Sequence, residues 1–398
     1  MTDKKYIQSI EDIFPIAMVK DGVVYSKNGD FSLIFEVNLP NLYSYYNYLS
    51  KDSGNFHGDL IQINEAFKTA ISYLPDYSIV HKQDWFYRNE VQLKEIPTEK
   101  SVPYLHEYNK VHFEGRQYLE HKCYLYLTKT SRKNVGQASN GSILATGEIV
   151  NNDLRESIST APDFIESCNN FCSKINSLAS NQINISIKRL ETAEIVGDKQ
   201  TIGMYEKYLS LQLSQDKAPL YDIISDNDNL RIGDNYSRIY TLTDIEDINS
   251  AVMIPFDKVG DLSTENTEIT TSYATPLSLK LDCNHIYNQY IFINSKEDSI
   301  KELEKNKKSM ESFSEYSKEN EVNFNKLDEF INHLTVTKTI AVKTHFNVQV
   351  FTEESKKLKD IHNKTMEAFN LMEIKGRESK NDALFYFWAG IPGNSSDL

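Results

Sequence analysis

The chain has 398 residues, 40% hydrophobic, 11% aromatic and 25% charged, and its 43 basic against 57 acidic side chains leave a formal net charge of -14. That balance reads as a globular chain with material for a sizeable core, and it excludes the disordered and membrane-spanning classes, since no stretch approaches the roughly 20 uncharged residues needed to cross a bilayer. So acidic a surface repels phosphate backbones and anionic lipid, so no direct nucleic-acid binding is expected, and the short basic runs at Lys129 to Lys133 and Lys305 to Lys308 read as solvated faces.

No apolar signal region follows Lys4 and Lys5 before Asp12, so a cytoplasmic location is expected. The first element is a hairpin in which Val23 to Lys27 and Asp30 to Val37 flank Asn28-Gly29, the pair that suits a type I′ turn. Phe31, Leu33, Phe35 and Val37 share one face of its second strand. A Tyr-rich stretch, Tyr43 to Tyr48, is followed by helical spacing from Leu60 to Leu74, a stop at Pro75, and a strand from Tyr77 to about Arg88. A helix over 102–118 and a strand over 121–128 come next. The Gly-, Ser- and Asn-rich segment 131–152 reads as an exposed insertion.

Phe164, Cys168, Phe171, Cys172, Ile175 and Leu178 form an apolar helical stripe with Pro162 at an early helical position. Ile183, Ile185 and Ile187 alternate as a strand, and 191–213 resumes as a helix. Leu230 to Leu242 reads as a hairpin across Gly233-Asp234, and Tyr290 to Asn294 as a buried strand. One or two long helices are expected over 296–334, a strand over 339–352, a helix over 353–369, and strands over 371–375 and 384–388. The sum is an α+β fold with mixed, largely antiparallel sheets and packed helices. It divides into an N-terminal α+β half, 1–215, and a second α+β half, 216–398, at the loop-like Gln215 to Pro219.

No Gly-rich turn ends in the Gly-Lys-Ser/Thr that lets backbone N–H groups surround a phosphate, and the loop Gly136 to Ser142 has no lysine after its second glycine. Cys168 and Cys172 share a helical face, as a metal pair would, but they lie in an apolar stripe without a complementary His pair and read as small buried hydrophobes. His121 and Cys123 share a strand face, yet a nucleophile needs a third, orienting group. The acidic pairs Glu353-Glu354 and Asp244 to Asp247 read as helix-start or loop charges, and the 24 tyrosines as strand and interface residues. The four cysteines form no disulfide framework. No catalytic, cofactor-binding or metal-binding residue is therefore assigned. The catalytic alternative is a Cys/His hydrolase using Cys123 or Cys168, and the non-catalytic one a stand-alone adaptor or DNA-transfer accessory protein.

The run Phe387 to Asn394, read Phe-Trp-Ala-Gly-Ile-Pro-Gly-Asn, resembles the segment that comes shortly before the ATPase domain in TraG and VirB-type conjugation ATPases. The opening Ile10 to Ile16 with Gly22 to Ser32 is similar to the start of TraG proteins from conjugative transposons, as are Arg231 to Tyr240 and Cys283 to Ile293. The resemblance implies the non-catalytic docking and oligomerisation region of a type IV secretion ATPase that serves conjugative DNA transfer. ATP and Mg²⁺ would be held only by a C-terminal RecA-like domain that lies beyond this chain, whose aromatic run and Pro-Gly turn read as an interrupted ending. The implied partners are proteins of the conjugation apparatus and other copies of the full-length protein, with peripheral attachment to the inner membrane through those partners.

Overall fold

The computed structural model describes residues 9–39, 59–93, 103–130, 154–181, 183–199, 201–212, 221–225, 230–242, 247–248, 257–258, 268–269, 273–314, 318–337 and 339–398. Its strands are β1 (Ile16–Lys20), β2 (Val23–Ser26), β3 (Phe31–Asn38), β4 (Ser78–Glu90), β5 (Gln117–Lys129), β6 (Ser186–Arg189), β7 (Ile223–Ser225), β8 (Leu230–Ile232), β9 (Asn235–Thr241), β10 (Asp257–Lys258), β11 (Glu268–Ile269), β12 (Asn284–Ile293), β13 (Val342–Thr352) and β14 (Arg377–Ser379). Twelve of them form one sheet in the order β1-β2-β3-β5-β4-β12-β13-β9-β8-β7, with β6 beside β3 and β14 beside β9, while β10 and β11 pair separately. The neighbours run antiparallel, with β4 and β5 locked from Ser78↔Lys129 to Glu90↔Gln117, and β12 joined to β4 on one side and β13 on the other.

The helices are α1 (Ile10–Ile13), α2 (Asp59–Ile71), α3 (Pro103–Phe113), α4 (Leu154–Asn176), α5 (Thr192–Val196), α6 (Met204–Ser210), α7 (Thr275–Lys280), α8 (Lys296–Ser314), α9 (Lys318–Val336), α10 (Leu358–Leu371) and α11 (Ala383–Ala389). On one face of the sheet, α2 and α4 bury Ala70, Phe164 and Phe171 against Leu33, Phe35 and Leu125. Further along that face, α7 and α10 bury Leu277, Ile361 and Phe369 against Tyr240, Val348 and Val350. The opposite face packs Ile195, Tyr208 and Phe387 on Ile34, Trp85 and Ile286. Strand alternation thus serves two cores at once, which explains why so many strands read as nearly continuous apolar runs.

Several local expectations change. The Asn28-Gly29 hairpin closes through three residues: Ser26 N–H bonds Asp30 O at 2.9 Å, Gly29 alone takes a positive φ of 94°, and the Asn28 side chain accepts from Asp30 N–H at 3.1 Å. An Asx contact therefore holds the loop, and no type I′ turn is needed. The segment expected as a strand at 384–388 is helix α11. Phe387, Trp388 and Ile391 take helical spacing on the sheet, an ambiguity inherent in short apolar runs. The expected helix over 191–213 breaks into α5 and α6 at Gly197, φ 85°, and an added Cβ at Gly203 would stand 2.3 Å from the Val196 carbonyl carbon. Pro162 lies well inside α4, not at its start. Around Leu371 to Lys375 there is a single bridge, Ile248↔Ile374, because Glu373 turns the chain at φ 57°; the strand that follows is β14.

The expected long helices are α8 and α9, an antiparallel pair in which Lys307 binds Asp328 and covers the Phe324 ring at 5.2 Å, while Lys296 Nζ donates to Thr337 O at 2.7 Å. Tyr43 to Tyr48, the insertion at 131–152 and the boundary near residue 215 lie outside the described residues. The main sheet takes strands from both sides of that boundary, through the β4–β12 pairing.

Candidate functional site

The most organised polar site lies beneath α11 and the residues that follow it. Alternation places His81 and Gln83 of β4, Tyr126 of β5, Asn288 of β12 and Asn347 of β13 on the same sheet face, each essentially without solvent exposure. Gln83 is the junction. Its Nε2 donates to Asn288 Oδ1 at 2.7 Å and to the Gly390 carbonyl at 3.1 Å, and its Oε1 accepts from Trp85 Nε1 at 2.6 Å and Tyr126 Oη at 2.8 Å. Asn288 extends the chain by accepting at 2.9 Å from the His81 side and donating to Asn347 Oδ1 at 2.9 Å. Each member is neutral, so the network is directional without an ionic desolvation cost.

Three tyrosine-type and amide donors hold the backbone of the covering segment. Tyr208 Oη donates to Phe387 O at 2.6 Å, Tyr205 Oη to Pro392 O at 3.1 Å, and Gln83 to Gly390 O. Gly390 is required by closeness, since an added Cβ would stand 2.2 Å from Tyr208 Oη. The Tyr208 ring stacks on Phe387 at 5.0 Å. Downstream, Asn394 Nδ2 donates to Trp388 O at 3.0 Å, Ser395 Oγ meets Thr128 Oγ1 at 3.4 Å, and Ser396 bonds Asp30. Burial pushes His81 down to about 3 against its bond to Asn288, and His345 to about 4. His81 Nδ1, Gln349 Oε1 and Trp388 Nε1 find no hydrogen-bond partner among the described residues.

The other face carries the His121 and Cys123 pair weighed from the sequence. The structure brings them beside Asp84, whose Oδ1 lies 2.9 Å from His121 Nε2 and whose other oxygen bonds Lys82. Burial opposes the Asp84 carboxylate, but Lys82 and then His121 outweigh it and hold Asp84 at about 2. Burial, followed by the negative Asp84, pushes the Cys123 thiol well above its ordinary range. A protonated thiol facing a carboxylate is the reverse of an activated nucleophile. Beside it, Phe86 is sandwiched across three strands between His121 at 4.4 Å and His285 at 4.5 Å, and burial lowers His285 to about 4.

Cys168 is fully buried in the α4 stripe and Cys172 half-buried beside it, both thiols pushed up by burial, and no group of three metal-ligating side chains occurs among the described residues. The Gly136 loop and Asp244 lie outside the described residues, Asp247 is buried and paired with Arg377 at 3.3 Å, and Glu354 holds Lys357 at 2.5 Å. Among the described residues no helix is long and apolar enough to cross a membrane. Sequence reasoning missed the Gln83 network, whose trace in the sequence is the second-position recurrence of His81 and Gln83 in β4 and of Asn347 and Gln349 in β13. No protein-family model and no curated protein matches this chain.

Proposed function

We propose that this chain is the non-catalytic docking and oligomerisation region of a TraG-like conjugation ATPase of a type IV secretion system. It works in the cytoplasm at the inner membrane, attached through partner proteins of the apparatus, and it takes no part in nucleotide chemistry. The observation that supports the reading is convergence. The four stretches that carry the resemblance are distant in sequence but contribute to one core: Ile16 and Val24 from the opening, Ile232 and Ile239 from the β8–β9 hairpin, Ile286 from β12, and Phe387, Trp388 and Ile391 from the C-terminal run.

In this reading the chain acts through its surfaces. The α8–α9 pair and the insertion at 131–152 are the proposed contact regions. The test has two arms. Co-expressed with the integral inner-membrane proteins of a conjugation apparatus, the tagged chain retains at least one of them through detergent purification. The chain alone shows neither ATP hydrolysis nor an ATP-dependent rise in melting temperature. Saturable ATP binding, or failure to retain any membrane component, defeats the proposal.

A further inference from the structure

The amides beneath α11 can point only one way. Trp85 Nε1 is a donor without an acceptor lone pair, so the Gln83 atom 2.6 Å from it is the carbonyl oxygen, and the Gln83 amide nitrogen is turned outward. That nitrogen donates to Asn288 Oδ1 at 2.7 Å, which sets Asn288 Nδ2 towards Asn347 Oδ1 at 2.9 Å. Flipping any one amide would set N–H against N–H or oxygen against oxygen, so the orientation passes from β4 through β12 to β13. The relay therefore ends on a donor, Asn347 Nδ2, which finds no acceptor among the described residues. The same logic fixes His81. Its Nε2 lies 2.9 Å from the accepting Asn288 Oδ1 and carries the proton, so its Nδ1 is a bare lone pair, also without a partner among the described residues.

A further unpaired group stands beside the end of the relay. Tyr290 follows Asn288 by two residues on β12, so it projects from the same sheet face, diagonally across from Asn347, and its hydroxyl has no hydrogen-bond partner among the described residues. Burial pushes the phenol up and the Asn347 side chain opposes it, which places the amide beside the hydroxyl, but the pair does not reach hydrogen-bonding geometry. The unpaired His81 Nδ1 belongs to the ring stacked on Tyr290 at 4.1 Å, so unpaired polar groups from three adjacent strands meet at one place. His81, Tyr290 and Asn347 are each at most 1% exposed, and buried polar groups left unpaired cost folding free energy. Whatever satisfies them must accept from an amide N–H, exchange a hydrogen bond with a hydroxyl in either direction, and carry no charge, since every member of the relay is neutral and an ion would be desolvated without compensation. Water meets all three requirements. We propose that an ordered water molecule bridges Asn347 Nδ2 and Tyr290 Oη as a fixed part of the fold. It joins the relay that holds the Gly390 carbonyl to Tyr290, which packs with Ile79, Phe292 and Leu398, so that two separate points of the covering segment rest on one network. This inference is independent of the docking reading.

Two measurements on the purified chain test it. A crystal structure at a resolution that shows ordered solvent is expected to place one water within about 3.2 Å of both Asn347 Nδ2 and Tyr290 Oη. Tyr290→Phe, which removes the hydroxyl and keeps the ring, is expected to lower the urea midpoint at unchanged slope, because the water loses an anchor and the Asn347 N–H is stranded with it. A dry, unpaired hydroxyl predicts the opposite, since its removal costs nothing. Density showing a direct bond between Asn347 and Tyr290, nothing ordered between them, or a molecule larger than water overturns the proposal, as does a Tyr290→Phe midpoint equal to or above that of the wild type. None of these outcomes bears on retention of membrane components, so the two readings fail separately.

Discussion

Lowering the pH from 7.5 to 5 should strip several kcal/mol from this fold through three histidines. Burial holds His81 at about 3 and His285 and His345 at about 4, whereas each titrates near 6.5 in an unfolded chain. Because the folded value is depressed, the unfolded state binds the proton first: stability is complete above about pH 6.5 and falls as the pH drops towards the folded value. At pH 5 the difference amounts to about 1.5 pH units at about 1.4 kcal/mol each, or about 2 kcal/mol per histidine and about 6 for the three. That is comparable to the total stability of an ordinary domain, about 5–15 kcal/mol. Asp84, held at about 2, keeps its contribution throughout this window and loses it only in stronger acid.

Urea titrations at the two pH values, followed by the fluorescence of the fully buried Trp85 and Trp388, measure the loss. Acidification also relieves the repulsion of a chain at -14, so the cleaner quantity is a difference between variants. His285→Phe removes one titrating group while preserving a flat ring against Phe86, and it forfeits the 2.8 Å bond to Cys283 O. The variant should lose about 2 kcal/mol less than the wild type between pH 7.5 and 5. Equal losses in the two proteins would refute the assignment of that pH dependence to His285.

Gly390→Ala puts a methyl group 2.2 Å from Tyr208 Oη and should cost about 1–3 kcal/mol, seen as a lower urea midpoint at unchanged slope, with Tyr208→Phe partly relieving it. Native thiol labelling should reach Cys172, half-buried and pushed to about 12, only slowly, and should leave Cys123, Cys168 and Cys283 unmodified until the protein unfolds; fast modification of Cys123 would revive a nucleophilic role.

The readings that succeeded from sequence rest on local physics that tertiary structure left alone. The alternation of Phe31 to Val37, the polar helices from Lys296 and the turn at Gly233 all describe elements whose pattern and environment agree. Three of the failures share one cause. Leu384 to Trp388 is apolar on every side because α11 is covered from several directions, so no period distinguished helix from strand. The break at Gly197 comes from the close approach of Gly203 to Val196, a distance that residue spacing cannot contain. The Gln83 network had a local trace in the alternation of His81 with Gln83 and of Asn347 with Gln349, but its meaning depends on β4, β12 and β13 being neighbours, and β4 and β12 are separated by about half of the chain.

That network also has a physical task which apolar packing alone would not perform. The segment after α11 joins no strand ladder, so no hydrogen-bond register fixes its position along the sheet. Apolar contacts of Phe387, Trp388 and Ile391 supply most of its attachment but tolerate sliding, since burial is non-directional. Hydrogen bonds from Tyr208, Gln83 and Tyr205 to the carbonyls of residues 387, 390 and 392 are directional and tie the backbone at three points to α6 and β4. Gln83 is in turn held by Trp85, Tyr126 and Asn288, so it has no free rotamer with which to follow a displaced partner. Substituting Gln83 by Leu would therefore preserve bulk while leaving the Gly390 carbonyl and the Trp85 and Tyr126 donors unsatisfied at once, which makes the amide, rather than the surrounding hydrophobic side chains, the residue that sets where this segment lies.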